Sequence, residues 1–436
     1  MKFCHALIFS SLALVCAATL ACAQAPAQPK EPSKLPDLLG EAERNNPQIL
    51  AAHENWHSAQ EVPSQVSTLP DPEVMVQQVS VGSPRPFSGY TNTEMASIGL
   101  GISQDIPFPG KLRLRGDIAQ KQADVEEQAY ESVRRAVLAA VKAEYYQLSY
   151  FAERLSILHG DGQLLAQVEQ SAEARYRAGL ASQQDVLQAQ LQQTQLLREI
   201  TATEMESDTA EAKLKELLNR PQTSADIEVA ELTETAVTYS FEQLLQAAAK
   251  TNPAIAGTQH MVEKAGLEVN LAHKNFDPDF NVTYMWLRTD PFQYRAHYAL
   301  TFGMRIPIYR GRRNERALAQ AEADQSRARD DLAAQRQGVA SSLRQNFAIE
   351  KRTTELLKIY RQGLQPQARA EFQAGLAAYG SDREDFQALL ASFLDVLNVD
   401  EEFWQTLSQH ESAIAQMEEV TGLTLRQPAG GGENQP

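Results

Sequence analysis

The chain has 436 residues, 43 % of them hydrophobic and 22 % charged, with a formal net charge of −16. This is the composition of a folded chain with ample material for a core, not of a disordered one. No long basic run and no aromatic–basic interleaving accompanies the acidic balance, so nucleic acid is not an expected partner.

The N-terminus, MKFCHALIFSSLALVCAATLACAQA, begins with Lys2, runs apolar from Ala6 to Leu20 and ends in small residues. That pattern predicts a secretory signal peptide over residues 1–23, since the apolar run is short for a membrane span. Two processing routes fit it. Ala21-Cys22-Ala23 is A-x-A-like and leaves a chain starting at Gln24. Thr19-Leu20-Ala21-Cys22 is a degenerate lipobox, which leaves a lipidated Cys22. Cys4, Cys16 and Cys22 are the three cysteines, so the processed chain is expected to lack internal disulfides and thiolate metal sites.

A linker over 24–34 leads to His53-Glu54-Asn55-Trp56-His57. On a helix, this H-E-x-x-H spacing puts two imidazoles on one face, where they could share zinc. No third ligand follows. Glu61 is the nearest later carboxylate, and SAQEVPSQVSTLPDPEV runs straight towards a strand. No metal and no cofactor is expected, and no catalysis.

The chain is written twice. Asn46-Pro47 matches Asn252-Pro253, and Asp71-Pro72 matches Asp277-Pro278, both at an offset of 206. Ile106-Pro107, Ala119-Gln120 and Asp124 match Ile306-Pro307, Ala319-Gln320 and Asp324 at 200. YRAGLA from Tyr176 matches FQAGLA from Phe372 at 196. The order of anchors is kept, which predicts two tandem repeats over 35–225 and 238–424. A linker at 226–237 separates them, and a disordered tail at 425–436 closes the chain. In the second copy His53, Glu54 and His57 become Gln259, His260 and Glu263, so the zinc-like motif is not repeated.

Each copy predicts a short helix, two strands and a long helix hairpin. Ile98, Leu100 and Ile102 alternate with Ser97, Gly99, Gly101 and Ser103. Phe280, Val282, Tyr284 and Trp286 alternate with Asn281, Thr283, Met285 and Leu287. Tyr298, Leu300, Phe302, Met304 and Ile306 oppose Ala299, Thr301, Gly303 and Arg305. These strands are about 10 residues long, enough to cross a bilayer at a tilt, although a soluble sheet with one buried face has the same alternation. The strand at Val74–Val81 alternates less cleanly. Helical spacing then holds from Leu112 to Ala178 and from Asn314 to Ala374. A helix of this span is about 90–100 Å long and must pair along its length as a coiled coil or extended bundle. Four strands cannot close a barrel, so strands that enter a membrane must be completed by other chains.

Several stretches together resemble the TolC family of outer-membrane efflux ducts. YRAGLASQQDVLQAQ and FQAGLAAYGSDREDFQALL resemble the hairpin-tip signature. KLKELLNRP resembles the family's L-x-x-L-L-G-R-P, with Asn219 in place of glycine, and MEEVTGL resembles the close of the second copy. QDIPFPGKL and MRIPIYRGR resemble the strand-to-helix junctions. The resemblance implies a mainly α fold with a β-barrel part: a homotrimer with a twelve-stranded outer-membrane barrel and a periplasmic coiled-coil tunnel. It also implies passive export with a periplasmic adaptor and an inner-membrane pump. Gly179, Leu180, Gly375 and Leu376 match the tip turns that meet the adaptor. Asp185 matches the tip carboxylate. In the second copy four extra residues intervene, leaving Asp385, Asp382 or Glu384 as the periplasmic gate. The gate reading competes with a plain helix-capping role. Tyr284, Trp286, Tyr298 and Phe302 are expected to face outer-membrane lipid. Lys111, Arg113, Arg115, Arg310, Arg312, Arg313 and Arg316 gather where the long helices begin, either against lipid head groups or simply in solvent. A non-transporting periplasmic scaffold or adaptor is the alternative; it accounts for the helices but not for the strands.

Overall fold

The computed structural model describes residues 33–79, 96–288, 296–381 and 383–425. Helices α1 (Leu35–Asn45), α2 (Pro47–Gln60) and α3 (Val62–Ser67) lead into strands β1 (Glu73–Val79) and β2 (Ser97–Ile106). Helices α4 (Lys111–Arg177) and α5 (Gln183–Leu217) follow. The second half repeats the order: α6 (Phe241–Thr251), α7 (Pro253–Lys274), β3 (Asp279–Arg288) and β4 (His297–Arg305). A π turn at Arg310–Asn314 opens α8 (Glu315–Ile359), and a second at Tyr360–Leu364 joins it to α9 (Gln365–Gly380), before α10 (Phe386–Thr421) returns.

The repeated Asn-Pro pairs have one local cause. Proline at the first helical position suits α2 and α7, because its missing N–H is an unsatisfied donor there anyway. The asparagine before it caps the helix. Asn46 Oδ1 accepts from the Gln48 and Ile49 amides, and Asn252 Oδ1 from those of Ala254 and Ile255. The same side chains also reach the returning helix. Asn46 Nδ2 donates to the Leu217 carbonyl at 2.8 Å, and Asn252 Nδ2 to that of Val420 at 3.0 Å. Each copy thus fastens its entry helix to the end of its hairpin.

The hairpins end alike too. Asn219 has φ +55°, and Gly422 has φ +65°. Asparagine is one of the few residues besides glycine that tolerates this conformation, so Asn219 keeps the helix stop that the glycine of the resembled motif makes. Arg220 beside it forms a two-pronged pair with Glu41, at 2.6 and 2.5 Å. Those hydrogen bonds hold the Glu41 carboxyl below the usual range, against the opposing effect of burial.

Helix α4 has 67 residues, which makes it about 100 Å long. Its counterpart in the second copy is not one uninterrupted helix as expected. Pro366 lies inside it, and a proline in mid-helix removes one hydrogen bond and crowds the carbonyl four residues back. The helix widens just ahead of it, where the Gln365 amide bonds the Tyr360 carbonyl five residues back. Among the described residues, three large apolar clusters and a small one around Tyr150 and Phe151 string along the bundle. Segment 226–237, expected as a linker, is packed: Ile227 and Leu232 are buried in the central cluster. Glu411 accepts from the Thr235 amide and hydroxyl, and His410 Nε2 bonds the Thr235 carbonyl at 2.9 Å. Leu425, the first residue assigned to the tail, is buried against α6, α8 and α10.

The strands form one antiparallel sheet in the order β1-β2-β3-β4. Among the described residues, the outer edges of β1 and β4 have no neighbouring strand. No described helix is long and apolar enough to cross a membrane.

Candidate functional site

Register places the sheet's apolar side chains in continuous rows. Val74, Ile102, Tyr284 and Leu300 face one another across the four strands, as do Val76, Leu100, Trp286 and Tyr298. Phe302 lies beside Val282 on the same face. All four predicted aromatics therefore share it, with Tyr298 at 69 % and Phe302 at 75 % relative exposure. A solvated sheet hides its apolar face; this one displays it. The opposite face is mixed: Met75, Met285 and Leu287 share it with a polar cluster towards the helical end. Asn281 donates to Ser103 and Asp105 at 2.9 and 2.8 Å, and Ser103 and Thr283 hydroxyls lie 2.9 Å apart. Gly99 is required there, since a Cβ would stand 2.7 Å from Leu287 Cδ2 and from the Trp286 carbonyl.

At the first strand-to-helix junction the expected exposed cation Lys111 is buried instead. Its Nζ lies 2.8 Å from Asp279 Oδ1 and 3.0 Å from the Asp277 carbonyl. Asp279 also accepts the Phe108 amide at 2.9 Å. This pair locks the start of α4 to the start of β3.

The first hairpin tip is built as expected around Gly179. Its φ is +73°, and the amides of Gly179 and Leu180 bond the carbonyls of Tyr176 and Arg175. This helix stop leaves Leu180 63 % exposed at the apex. Ser182 then caps α5. It receives the Asp185 amide, and Asp185 in turn accepts from the Ser182 hydroxyl and amide at 2.7 and 3.3 Å. Asp185 is thus at the tip and part of a capping box.

The second tip corrects one expectation. Gly375 and Leu376 are not in a turn; they lie within α9, which continues to Gly380. The four extra residues are one more helical turn. Gly375 is buried for packing, because a Cβ there would stand 3.3 Å from Ser392 Oγ on α10. The turn falls at Ser381, where the Ser381 and Arg383 amides bond the Ala378 carbonyl. Asp385 caps α10 by accepting the Ala388 amide at 2.9 Å. Asp382 and Cys22 lie outside the described residues.

The two tips are joined by residues far apart in the chain. Arg175 on α4 donates to the Tyr379 carbonyl on α9, and its guanidinium lies 4.7 Å from the centre of the Tyr379 ring. Burial, reinforced by the charge of Asp185, raises the Tyr379 hydroxyl pKa, while Arg175 opposes the shift. Asp185, Asp385, Arg175 and Tyr379 line one open cavity of about 750 Å³ between the tips. An arginine four residues before a tip glycine was the available signal, but its partner is 204 residues away.

His53 and His57 are not gathered around a shared acceptor. His53 meets Glu54 at 3.5 Å and packs edge-on against Trp56 and Tyr130, while Trp56 stacks on Tyr130 with centroids 5.8 Å apart. The motif's aromatic and one histidine hold α2 on α4.

Comparison with known proteins gives a consistent picture. The family model for outer membrane efflux protein matches residues 38–220 and 244–419. The solved outer-membrane channel OprN superposes with a TM-score of 0.78 at 16 % identity, over 89 % of each chain. The outer membrane protein VceC from Vibrio cholerae gives 0.75 at 16 %, over 89 % of this chain and 96 % of its own. The open-state outer membrane channel MtrE from Neisseria gonorrhoeae gives 0.73 at 15 %, over 90 % and 89 %. Identities this low establish a shared fold. No curated protein sequence matches the chain.

Proposed function

The chain belongs to the outer membrane efflux protein family, whose members are outer-membrane channels and not enzymes, and from that premise we propose that it is the exit duct of a tripartite export system. Three copies close a twelve-stranded barrel, and their helices form a tunnel through the periplasm. Solutes pass passively, an inner-membrane pump supplies the energy, and a periplasmic adaptor meets the hairpin tips, at Gly179 and Leu180 in the first copy and at the turn around Ser381 in the second. Asp185 and Asp385 stand beside the narrow end; in threefold copies, such carboxylates form a ring that favours cations. Asp382, three residues before Asp385 in the sequence, is the third candidate. Tyr284, Trp286, Tyr298 and Phe302 contact lipid, and Cys22 is the acyl anchor if it is retained.

One observation carries this reading. The four-stranded sheet exposes its apolar face, and among the described residues its two edges are unpaired. In lipid an unpaired strand edge costs several kcal/mol per polar group, so only closure by further copies satisfies it. A periplasmic scaffold has no use for such a surface. The test is the mass and conductance of the detergent-purified full-length protein in planar bilayers. A trimer with discrete ion-conducting steps is expected. A monomer that stays soluble without detergent and passes no current would refute the proposal.

A further inference from the structure

The two strand-to-helix junctions align residue for residue at the offset of 200, yet their cations have different fates. In the first copy Lys111 is buried on Asp279, and Arg113 has Asp117 at 3.8 Å. Arg115 lines a cavity with Asp105 and Asp279, and Arg313 of the second copy borders another that includes Asp277 and Asp279, without an ion pair to either. In the second copy Arg310, Arg312, Arg313 and Arg316 are all exposed. None of them has an ion pair with a described carboxylate. Phe108 of the first copy stacks on Phe280, whereas its counterpart Ile308 is 73 % exposed and Tyr309 beside it 70 %.

These arginines sit at a particular place on the surface. The outward stripe of β4, through Phe302 and Met304, continues past the end of the strand into Ile306 and Ile308. The four guanidiniums follow within ten residues of Ile306. They also crowd the first turns of α8, where positive charge opposes the helix dipole. Glu315 in the same first turn offsets part of this repulsion, and an external anion would offset more of it.

We infer that Arg310, Arg312, Arg313 and Arg316 bind anionic phospholipid headgroups in the periplasmic leaflet of the outer membrane. This rests on the outer-membrane placement of the sheet. The outward apolar stripe ends where acyl chains must give way to phosphates, and arginine holds phosphate oxygens two at a time through its planar fork. Tyr309 has the amphipathic ring that favours the same depth. A neighbouring copy is the competing occupant, but pairing along the β4 edge uses backbone groups and leaves the outward apolar stripe uncovered. The lipid explains both the cations and the stripe.

The experiment compares full-length wild type with the quadruple variant Arg310→Gln, Arg312→Gln, Arg313→Gln, Arg316→Gln. Each is purified in mild detergent and titrated with phosphatidylglycerol or, separately, phosphatidylcholine; bound lipid is counted by native mass spectrometry. Each cation near a charged lipid surface contributes about fivefold to affinity, so the quadruple variant should lose at least about tenfold in phosphatidylglycerol binding. Phosphatidylcholine binding should not change. A matching quadruple Arg→Lys variant keeps the charge but not the two-pronged fork, so it should bind more phosphatidylglycerol than the glutamine variant and less than wild type, which separates charge from misfolding. Unchanged phosphatidylglycerol retention in the glutamine variant overturns the inference. So does a glutamine variant that falls apart into monomers with its lipid count per chain intact, because the arginines then hold a second copy. Trimer mass and conductance are read on the same samples, so a failure of the duct reading is seen independently.

Discussion

Asp161 offers a test whose sign follows from the structure. It lies on α4 beside Asp400 of α10 and Arg369 of α9. Arg369 is committed elsewhere: its guanidinium and the Gln365 amide both serve Asp400, at 2.9 and 2.8 Å. Asp161 Oδ2 is buried with no hydrogen-bond donor among the described residues. Burial first, then the charge of Asp400, push its carboxyl from 3.8 to about 6, and Arg369 only partly offsets them. The folded chain therefore holds a proton that the unfolded chain has already released. Stability is full below about 4, falls as pH rises through the interval, and stays low above about 6. Two units at about 1.4 kcal/mol each give about 3 kcal/mol. The group is partly solvated, and screening reduces this to about 1–2 kcal/mol. Asp161→Asn removes the charge with little change of shape. The variant should be more stable than wild type by about 1–2 kcal/mol at pH 8, with the difference vanishing near pH 4. Thermal unfolding of the detergent-solubilised protein, followed by circular dichroism across that range, measures it. A variant less stable than wild type at pH 8, or a difference that ignores pH, would show that the burial argument is wrong.

Arg175→Ala removes a charge-assisted hydrogen bond and a cation–π contact, together about 2–4 kcal/mol of tip-to-tip attraction; single-channel conductance should rise, and unchanged conductance would deny the tips a restraining role. Gly179→Val forces a β-branched residue into φ +73° and should cost about 1–2 kcal/mol or more, read as faster amide exchange at the tip. Asn46→Ala and Asn252→Ala should each cost about 1–2 kcal/mol in thermal unfolding; a loss in only one would break the equivalence of the two copies. Phe302→Arg puts a charge on the outward face and should cost about 2–4 kcal/mol at the bilayer midplane; heat-resistant trimer recovered from outer membranes should drop sharply, and full recovery would mean that this face meets no lipid.

Local periodicity made much of the fold legible. Alternation at Ser97–Ile106 and Phe280–Trp286 gave the strands and their two faces, because a strand's side chains have a fixed period of two. Proline and asparagine marked the helix starts at Asn46 and Asn252, because their effect is confined to neighbouring amides. Contacts across the bundle left no such trace. Arg175 with Tyr379 and Glu411 with Thr235 are separated by 204 and 176 residues. Lys111 read as a surface cation because nothing near it in sequence announces Asp279.

The misplaced second tip shows what actually positions a hairpin. AGLA occurs in both copies, but only Gly179 turns. The difference lies downstream. Ser182 stands three residues after Gly179 and can receive the Asp185 amide, so α5 begins there and α4 must stop short of it. After Gly375 the next working cap is Asp385. Until it arrives, Ala377, Ala378 and Tyr379 lose nothing by staying helical, and alanine favours it. A helix ends where the next one can begin well, and the glycine takes φ > 0 only when that junction demands it. The extra turn has a consequence for the site: it carries Tyr379 to the level of Arg175 and so adds a direct polar link between the two tips, beside the one from Gln387 to Gln188.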